Sequence, residues 1–275
     1  MTRANFFGWN KPTAKHYARC KAGPETNVIL AGVVPAPKVD LAKLVTIIDQ
    51  GALGSCTCNS TAQIIHAAMV ASGLDPSTEF FSRLFAYYLA RLEDGNQATD
   101  SGSQNCTVLD AACRMGFCPE SVWPYDIGKF SVKPPAEAVW AAYDQRGKVD
   151  LNYHRIDTVT GSALLKVMKQ ALTAGYLFNF GTPVTEDFCS GNVGGSPDHA
   201  AFPPVDGKGI AGGHSMTACG YDDTLALPVF KIANSWGKDF GDNGFCYFDE
   251  SYMTWYETSD MWICTLAPRF SGGAL

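Results

Sequence analysis

The chain has 275 residues, with 27 acidic and 21 basic side chains and a formal net charge of −6 at pH 7. Hydrophobic residues make up 46% and charged residues 17%, which allows a sizeable core and excludes a disordered chain. Basic residues are scattered and no apolar run approaches the roughly 20 residues of a membrane span, so neither nucleic acid nor a membrane is expected as a partner.

Residues 1–38 read as an irregular segment: an aromatic cluster (Phe6, Phe7, Trp9) stands in a polar stretch, and "GVVPAPK" predicts an extended connector. Its start has neither the apolar centre nor the small-residue cleavage site of a secretory signal. From Ser55 the pattern turns helical, with Ala62, Ile65, Ala68 and Met69 at helical spacing and Gly73 as a stop. Further helices are expected in "FFSRLFAYYLARLEDG", "CTVLDAACRMG", "PPAEAVWAAYDQRG" (with proline at its entry) and "TGSALLKVMKQALTAG". After Gly175 the period changes. "YLFNFGTPV", "HSMTACGY", "VFKIANSW", "GFCYFDE" and "MWICTLA" are short β-rich runs separated by turn residues. Helices first and strands later predict an α+β fold: an N-terminal segment (1–38), a helical lobe (39–150) and a β-rich lobe (151–275), with any shared site in the cleft between the lobes.

Ten cysteines are an even set, but a disulfide framework belongs to short secreted chains. Cys219 and Cys246 lie in apolar strand-like runs and are expected as buried thiols in a reducing compartment. Cys56 differs, because it follows Gly54-Ser55 where a helix begins, and the positive end of a helix dipole favours a thiolate. Cys58, two positions on, points elsewhere and reads as a core thiol. A metal site joining both to Cys113 and Cys118 has loose spacing, so no metal and no cofactor are expected. Among the histidines, His66 falls on another face of the Cys56 helix, and His16, His154 and His199 have no useful flanking pattern. His214 follows two glycines and opens an apolar strand, and Asn234 ends the next one. Cys56, His214 and Asn234 can therefore act as nucleophile, base and orienter.

"DQGALGSC", "SGSQNCTVLDAACRMGFCPESVWPYD", "GGHSMTACGY" and "NSWGKDFGDNGF", in that order, resemble the signature stretches of the papain-like cysteine peptidases, and the resemblance runs from Val39 onward. It implies a two-lobe α+β fold and hydrolysis of polypeptide substrates through a thioacyl-enzyme. By this resemblance Cys56 is the nucleophile, His214 the acid/base, Asn234 the orienter and Trp236 the indole shielding their contact. Gln50 is the side-chain donor to the oxyanion, and Gly102, Ser103, Gly213 and Trp236 are on the substrate side. In the family a segment ahead of the mature domain commonly crosses the cleft, so residues 1–38, too short for a globular pro-domain, are expected either to lie over the cleft as an inhibitory strap anchored by Phe6, Phe7 and Trp9 or to dock those aromatics elsewhere on the body.

There are departures from the family pattern. Leu53 replaces one half of a disulfide of secreted members, with Asp100 near the place of its partner. Thr57 replaces a tryptophan, and Gly212-Gly213 leave the cleft wall beside the histidine bare. The glycine-rich loop between Val184 and Gly213 reads as connector rather than phosphate cradle. A catalytically silent binding protein, or an amidase or transpeptidase using the same triad, is the alternative. A cytoplasmic or phage/viral setting is expected.

Overall fold

The structure, a computed structural model, describes residues 7–20, 29–73 and 80–269; Phe6 lies outside them. The described N-terminal residues lead into a short helix, α1 (Ala14–Arg19), absent from the sequence reading, and the connector ends in a short strand, β1 (Lys38–Asp40). Next comes α2 (Cys56–Ala71), which is buried on nearly every side. Its apolar positions, Ala62, Ile65, Ala68 and Met69, face the helical lobe. Its polar positions are buried as well and are paired: Ser60 Oγ lies 2.7 Å from Ser215 Oγ of the β-rich part, and the Asn59 amide donates to the Ser55 carbonyl at the helix's own start over 2.9 Å. A central helix between two bodies needs both kinds of surface.

Helix α3 (Arg83–Glu93) is capped by Ser82, whose hydroxyl accepts from the Phe85 amide, and α4 (Asn105–Met115) stops at Gly116. Gly116 has φ +86°, and a Cβ there would stand 1.9 Å from the carbonyl oxygen of Ala142. Only glycine lets α5 (Ala136–Lys148) pack so close. Helix α6 (Gly161–Thr173) precedes the β-rich part, which also carries the single-turn helices α7 (Glu186–Cys189) and α8 (Glu250–Met253).

The strands are β2 (Val149–Arg155), β3 (Phe178–Thr185), β4 (Ile210–Asp222), β5 (Val229–Ala233), β6 (Phe245–Asp249) and β7 (Ser259–Pro268). They form one antiparallel sheet in the order β2-β7-β3-β4-β5-β6, with β1 on β4. β4 is long enough to pair with β3 along one part and with β5 along another. Thr182 stands opposite His214, Gly181 opposite Ser215, and Ala233 opposite Thr217. The register thus delivers Asn234, the residue after β5, to the side of His214.

Two apolar cores flank this arrangement. One joins Ile65, Leu84, Phe85 and Leu109 to Tyr153, Trp262 and Cys264. The other joins Met168 and Leu172 to Phe178, Phe180, Phe230 and Phe248. β2 and β7 therefore supply the helical side with part of its core, and α6 packs on the β-rich side. The cores do not divide at one chain position. No helix among the described residues is long and apolar enough to cross a membrane.

Candidate active site

Cys56 is the first residue of α2 and is fully buried. The backbone N–H groups of Ser215, Gly8 and Thr57 point at its sulfur. The helix terminus favours a thiolate by about 0.3–1 kcal/mol. Burial acts the other way and lifts the thiol from 9.0 to about 11, roughly 3 kcal/mol against ionisation. Burial wins, and the thiol is neutral in this arrangement. Cys58 is buried in the helical-side core. Among the described residues no cysteine is joined in a disulfide, and no three His, Cys, Asp or Glu side chains are grouped as metal ligands.

His214 is also fully buried, and burial lowers it from 6.5 to about 4. Its Nε2 lies 2.8 Å from Asn234 Oδ1. That same oxygen accepts the Ser235 backbone N–H over 2.8 Å, so the amide turns its oxygen to the ring. The ring nitrogen facing it must then be the protonated one. Nδ1 is left as the basic nitrogen, and it is buried with no hydrogen-bond partner. Trp236 stacks on the imidazole with 4.6 Å between centroids and a 26° tilt, and it packs in turn against Phe188 and Phe240. Water is kept from the His–Asn contact by that indole.

Gln50 is fully buried beside this group. Its Oε1 accepts from Ser235 Oγ over 2.6 Å and its Nε2 donates to the Leu53 carbonyl over 2.8 Å. Its backbone N–H donates to the Ser235 carbonyl over 2.8 Å. Tyr125, the last residue of the Trp-Pro-Tyr turn, braces the same loop. Its hydroxyl donates to the Gln50 carbonyl over 2.9 Å and lies 2.5 Å from Ser55 Oγ, while the Arg83 guanidinium lies 3.9 Å over its ring. Asp100 stands where the resemblance set a disulfide partner, and its carboxylate accepts from the Gly54 N–H over 3.1 Å. Thr57 fills the tryptophan position as a buried side chain, 2.5 Å from Ser103 Oγ.

Residues 7–10 run between the lobes and over Cys56. Gly8 carbonyl accepts from Ser103 N–H over 2.8 Å, and Asn10 N–H donates to Ser103 carbonyl over 2.9 Å. Trp9 N–H donates to Gly213 carbonyl over 3.1 Å. The approach is so close that a Cβ on Gly8 would lie 1.8 Å from Gly54 oxygen, one on Gly102 (φ +70°) 2.3 Å from Gly8 oxygen, and one on Gly213 2.2 Å from Trp9 oxygen. The Phe7 ring covers Gly212. Beyond the cleft, Lys11 pairs with Glu257 at 2.7 Å, and Tyr17 and Arg19 dock α1 on Trp262 and Asp94.

The structure joins His214 to Asn234 and Trp236, and Gln50 to them through Ser235; Cys56 meets the backbone of Ser215, the neighbour of His214, and residues 8–10 bring the backbones of Gly102, Ser103 and Gly213 alongside. Ser235 and Tyr125 lay in the quoted motifs without a role, and Asp100 was named only as standing near the place of a missing disulfide partner; the hydroxyl next to Asn234 was the available clue for Ser235.

Residues 198–265 match the papain family cysteine proteases. An uncharacterized peptidase C1-like protein of Acanthamoeba polyphaga mimivirus is 34% identical over 234 residues, covering 82% of this chain and 73% of that protein. The crystal structure of xylellain, a cysteine protease from Xylella fastidiosa, superposes with a TM-score of 0.77 at 26% identity over 96% of this chain and 97% of that one. Bromelain from Ananas comosus shares the fold at 14% identity, TM-score 0.61, over 84% of this chain and 99% of that one. The chain is a cysteine peptidase of the papain family.

Proposed function

We propose that the protein is an endopeptidase that cleaves polypeptides through a thioacyl-enzyme and is held latent by its own N-terminal segment. The observation that carries the reading is His214 with one ring nitrogen held by Asn234 at 2.8 Å and the other buried without a partner, next in the chain to Ser215, whose N–H points at the Cys56 sulfur. In this reading Nδ1 takes the Cys56 proton and the thiolate attacks the scissile carbonyl. The oxyanion receives the Cys56 backbone N–H and a Gln50 side-chain N–H. The imidazolium then protonates the departing amine, and water hydrolyses the thioester with His214 as base. Each oxyanion donor is worth about 2.7–4 kcal/mol to the transition state. Asn234 keeps the ring in its productive tautomer, and Trp236 shields that contact.

Latency is supported by what residues 8–10 occupy: the backbone groups of Ser103 and Gly213, which a bound peptide would need, are taken. With the cover in place the thiol stays raised and the imidazole lowered, so the reactive ion pair does not form. The mimivirus relative supports a viral setting.

The test is labelling of the full-length chain with a thiol-directed epoxide, located by peptide mass spectrometry, alongside hydrolysis of internally quenched peptides with blocked ends. Gly8→Ala should react at Cys56 and cleave, and His214→Ala should abolish both. Labelling without cleavage of blocked peptides would sink the endopeptidase reading in favour of an amidase, transpeptidase or binding role.

A further inference from the structure

The N-terminal segment is held to the body beyond the cleft as well as across it, and the outer contact ends in two thiols. Helix α1 packs directly on α4. Its last turn is pinned: the Arg155 guanidinium lies 3.6 Å over the Tyr17 ring, Tyr17 faces Trp262 at 6.3 Å between centroids, and the Cys20 N–H donates to the Tyr17 carbonyl over 3.2 Å. Cys20, half-buried at the end of α1, packs against the helical-side core that contains Cys106, and the two thiols are hydrogen-bonded to each other. Cys106 stands in the first turn of α4 and is fixed there. Its N–H donates to Asp260 Oδ1 over 3.2 Å, and the neighbouring Asn105 N–H donates to Asp260 Oδ2 over 2.7 Å.

Two thiols in contact across a joint between elements can be linked with little movement when one of them is free to adjust. Cys20 has that freedom, because it ends a six-residue helix with no buried side chain. Access sets the order of reaction. The bond to Cys20, burial and the Asp260 charge all hold Cys106 as a neutral thiol, so Cys20 reacts first. It attacks a small disulfide RSSR, breaking that S–S bond and releasing one RSH. Cys106 then attacks the Cys20 sulfur of the mixed disulfide, and the second RSH leaves with the Cys106 proton. The two protein thiols lose two electrons in all, and one RSSR is reduced to two RSH.

We infer that Cys20 and Cys106 form a redox site, closed by small disulfides of the glutathione class, that locks the N-terminal segment over the active site. The lock works through chain length. With both thiols reduced, residues 7–10 can leave the cleft together with α1, tethered only by the connector to β1. With the pair oxidised, Cys20 stays on α4 and residues 7–10 have about ten residues of slack, so they return to the cleft at high effective concentration. In reducing surroundings the cover is free to lift, and in oxidising ones latency is fixed until a reductant arrives. This inference rests on the latency reading above, since it regulates the same site.

The experiment equilibrates the full-length chain with mixtures of reduced and oxidised glutathione. In Cys56→Ser, where the nucleophile cannot itself be capped, a linked Cys20–Cys106 peptide should appear in the unreduced digest as the oxidised share rises, and vanish with dithiothreitol. Gly8→Ala and Gly8→Ala/Cys20→Ser are then oxidised alike and treated with the thiol-directed epoxide. Oxidation should slow Cys56 labelling at least about tenfold in the first chain and leave the second unchanged, with dithiothreitol restoring the rate. Cys106→Ser in place of Cys20→Ser should behave in the same way, so the result does not hang on the folding of one variant. Absence of the linked peptide, or an equal loss of labelling in the chains without the pair, overturns the inference and leaves the peptidase reading standing. Failure of reduced Gly8→Ala to label at Cys56 overturns the latency reading, and the lock with it, whether or not the cross-link forms.

Discussion

Burial, more than the helix dipole, decides where protons sit on Cys56 and His214, and this has consequences in solution. His214 titrates at about 4 in the folded chain against 6.5 in the open. The unfolded chain therefore takes up the proton first. The stability this group allows is complete above 6.5 and lost as pH falls toward 4, by up to about 3 kcal/mol. Asp260 works in the opposite sense: burial raises it from 3.8 to about 6, so its contribution is present below 3.8 and lost as pH rises through 6. Wild type should lose stability relative to His214→Ala as pH is lowered from 6.5 to 4, measured as melting temperature against pH. A parallel pair of curves would contradict the buried neutral imidazole. At the same scale, Ser235→Ala removes the hydroxyl that orients Gln50. In a Gly8→Ala background it should lower kcat about ten- to a hundredfold with little change in KM, a fraction of the loss of a whole oxyanion donor.

Among the elements, α2 was legible because its apolar positions recur at helical spacing, and the strands β3 to β7 because short β-rich runs alternate with turn residues. β2 and α1 were not. β2 is a largely polar run, Val149 to Arg155, whose burial does not alternate, since neighbouring Tyr153 and His154 are both buried, and it becomes a strand by pairing with β7, far along the chain. α1 is six residues long with no buried side chain, below the length at which periodicity can be read. The path of residues 7–10 across the cleft depends on Gly8 having no side chain. Gly8→Ala should raise peptide hydrolysis and the rate of Cys56 labelling by at least an order of magnitude, because the added methyl cannot share space with the Gly54 carbonyl; unchanged rates would show that these residues do not limit access. Gly116→Ala, with a positive φ and a carbonyl 1.9 Å from the new methyl, should destabilise the chain by about 1–3 kcal/mol or more in denaturant titration.

Across the whole molecule, the cover and the catalytic pair form one connected unit. Lifting residues 7–10 should expose Trp9 and Cys56 together, so a red shift of indole emission and the onset of thiol labelling should coincide along a pH or denaturant series. Separate transitions would mean that Trp9 is not part of the gate. The sequence by itself determined what depends on neighbours in the chain: a cysteine at the start of a helix, a histidine opening a strand, an asparagine closing the next, and the order in which they come. Papain-family membership followed from those local patterns. Only the tertiary structure decided which residues close over the nucleophile. Trp9 of that cover lies against Gly181, Gly213 and Asp260, which are remote in sequence and meet only because an antiparallel sheet sets β4 between its partners and a chain end returns across the cleft. No local periodicity records such a meeting, since the forces that make it, shape complementarity and the hydrogen bonds of residues 8–10 across the cleft, act between surfaces and not along the chain.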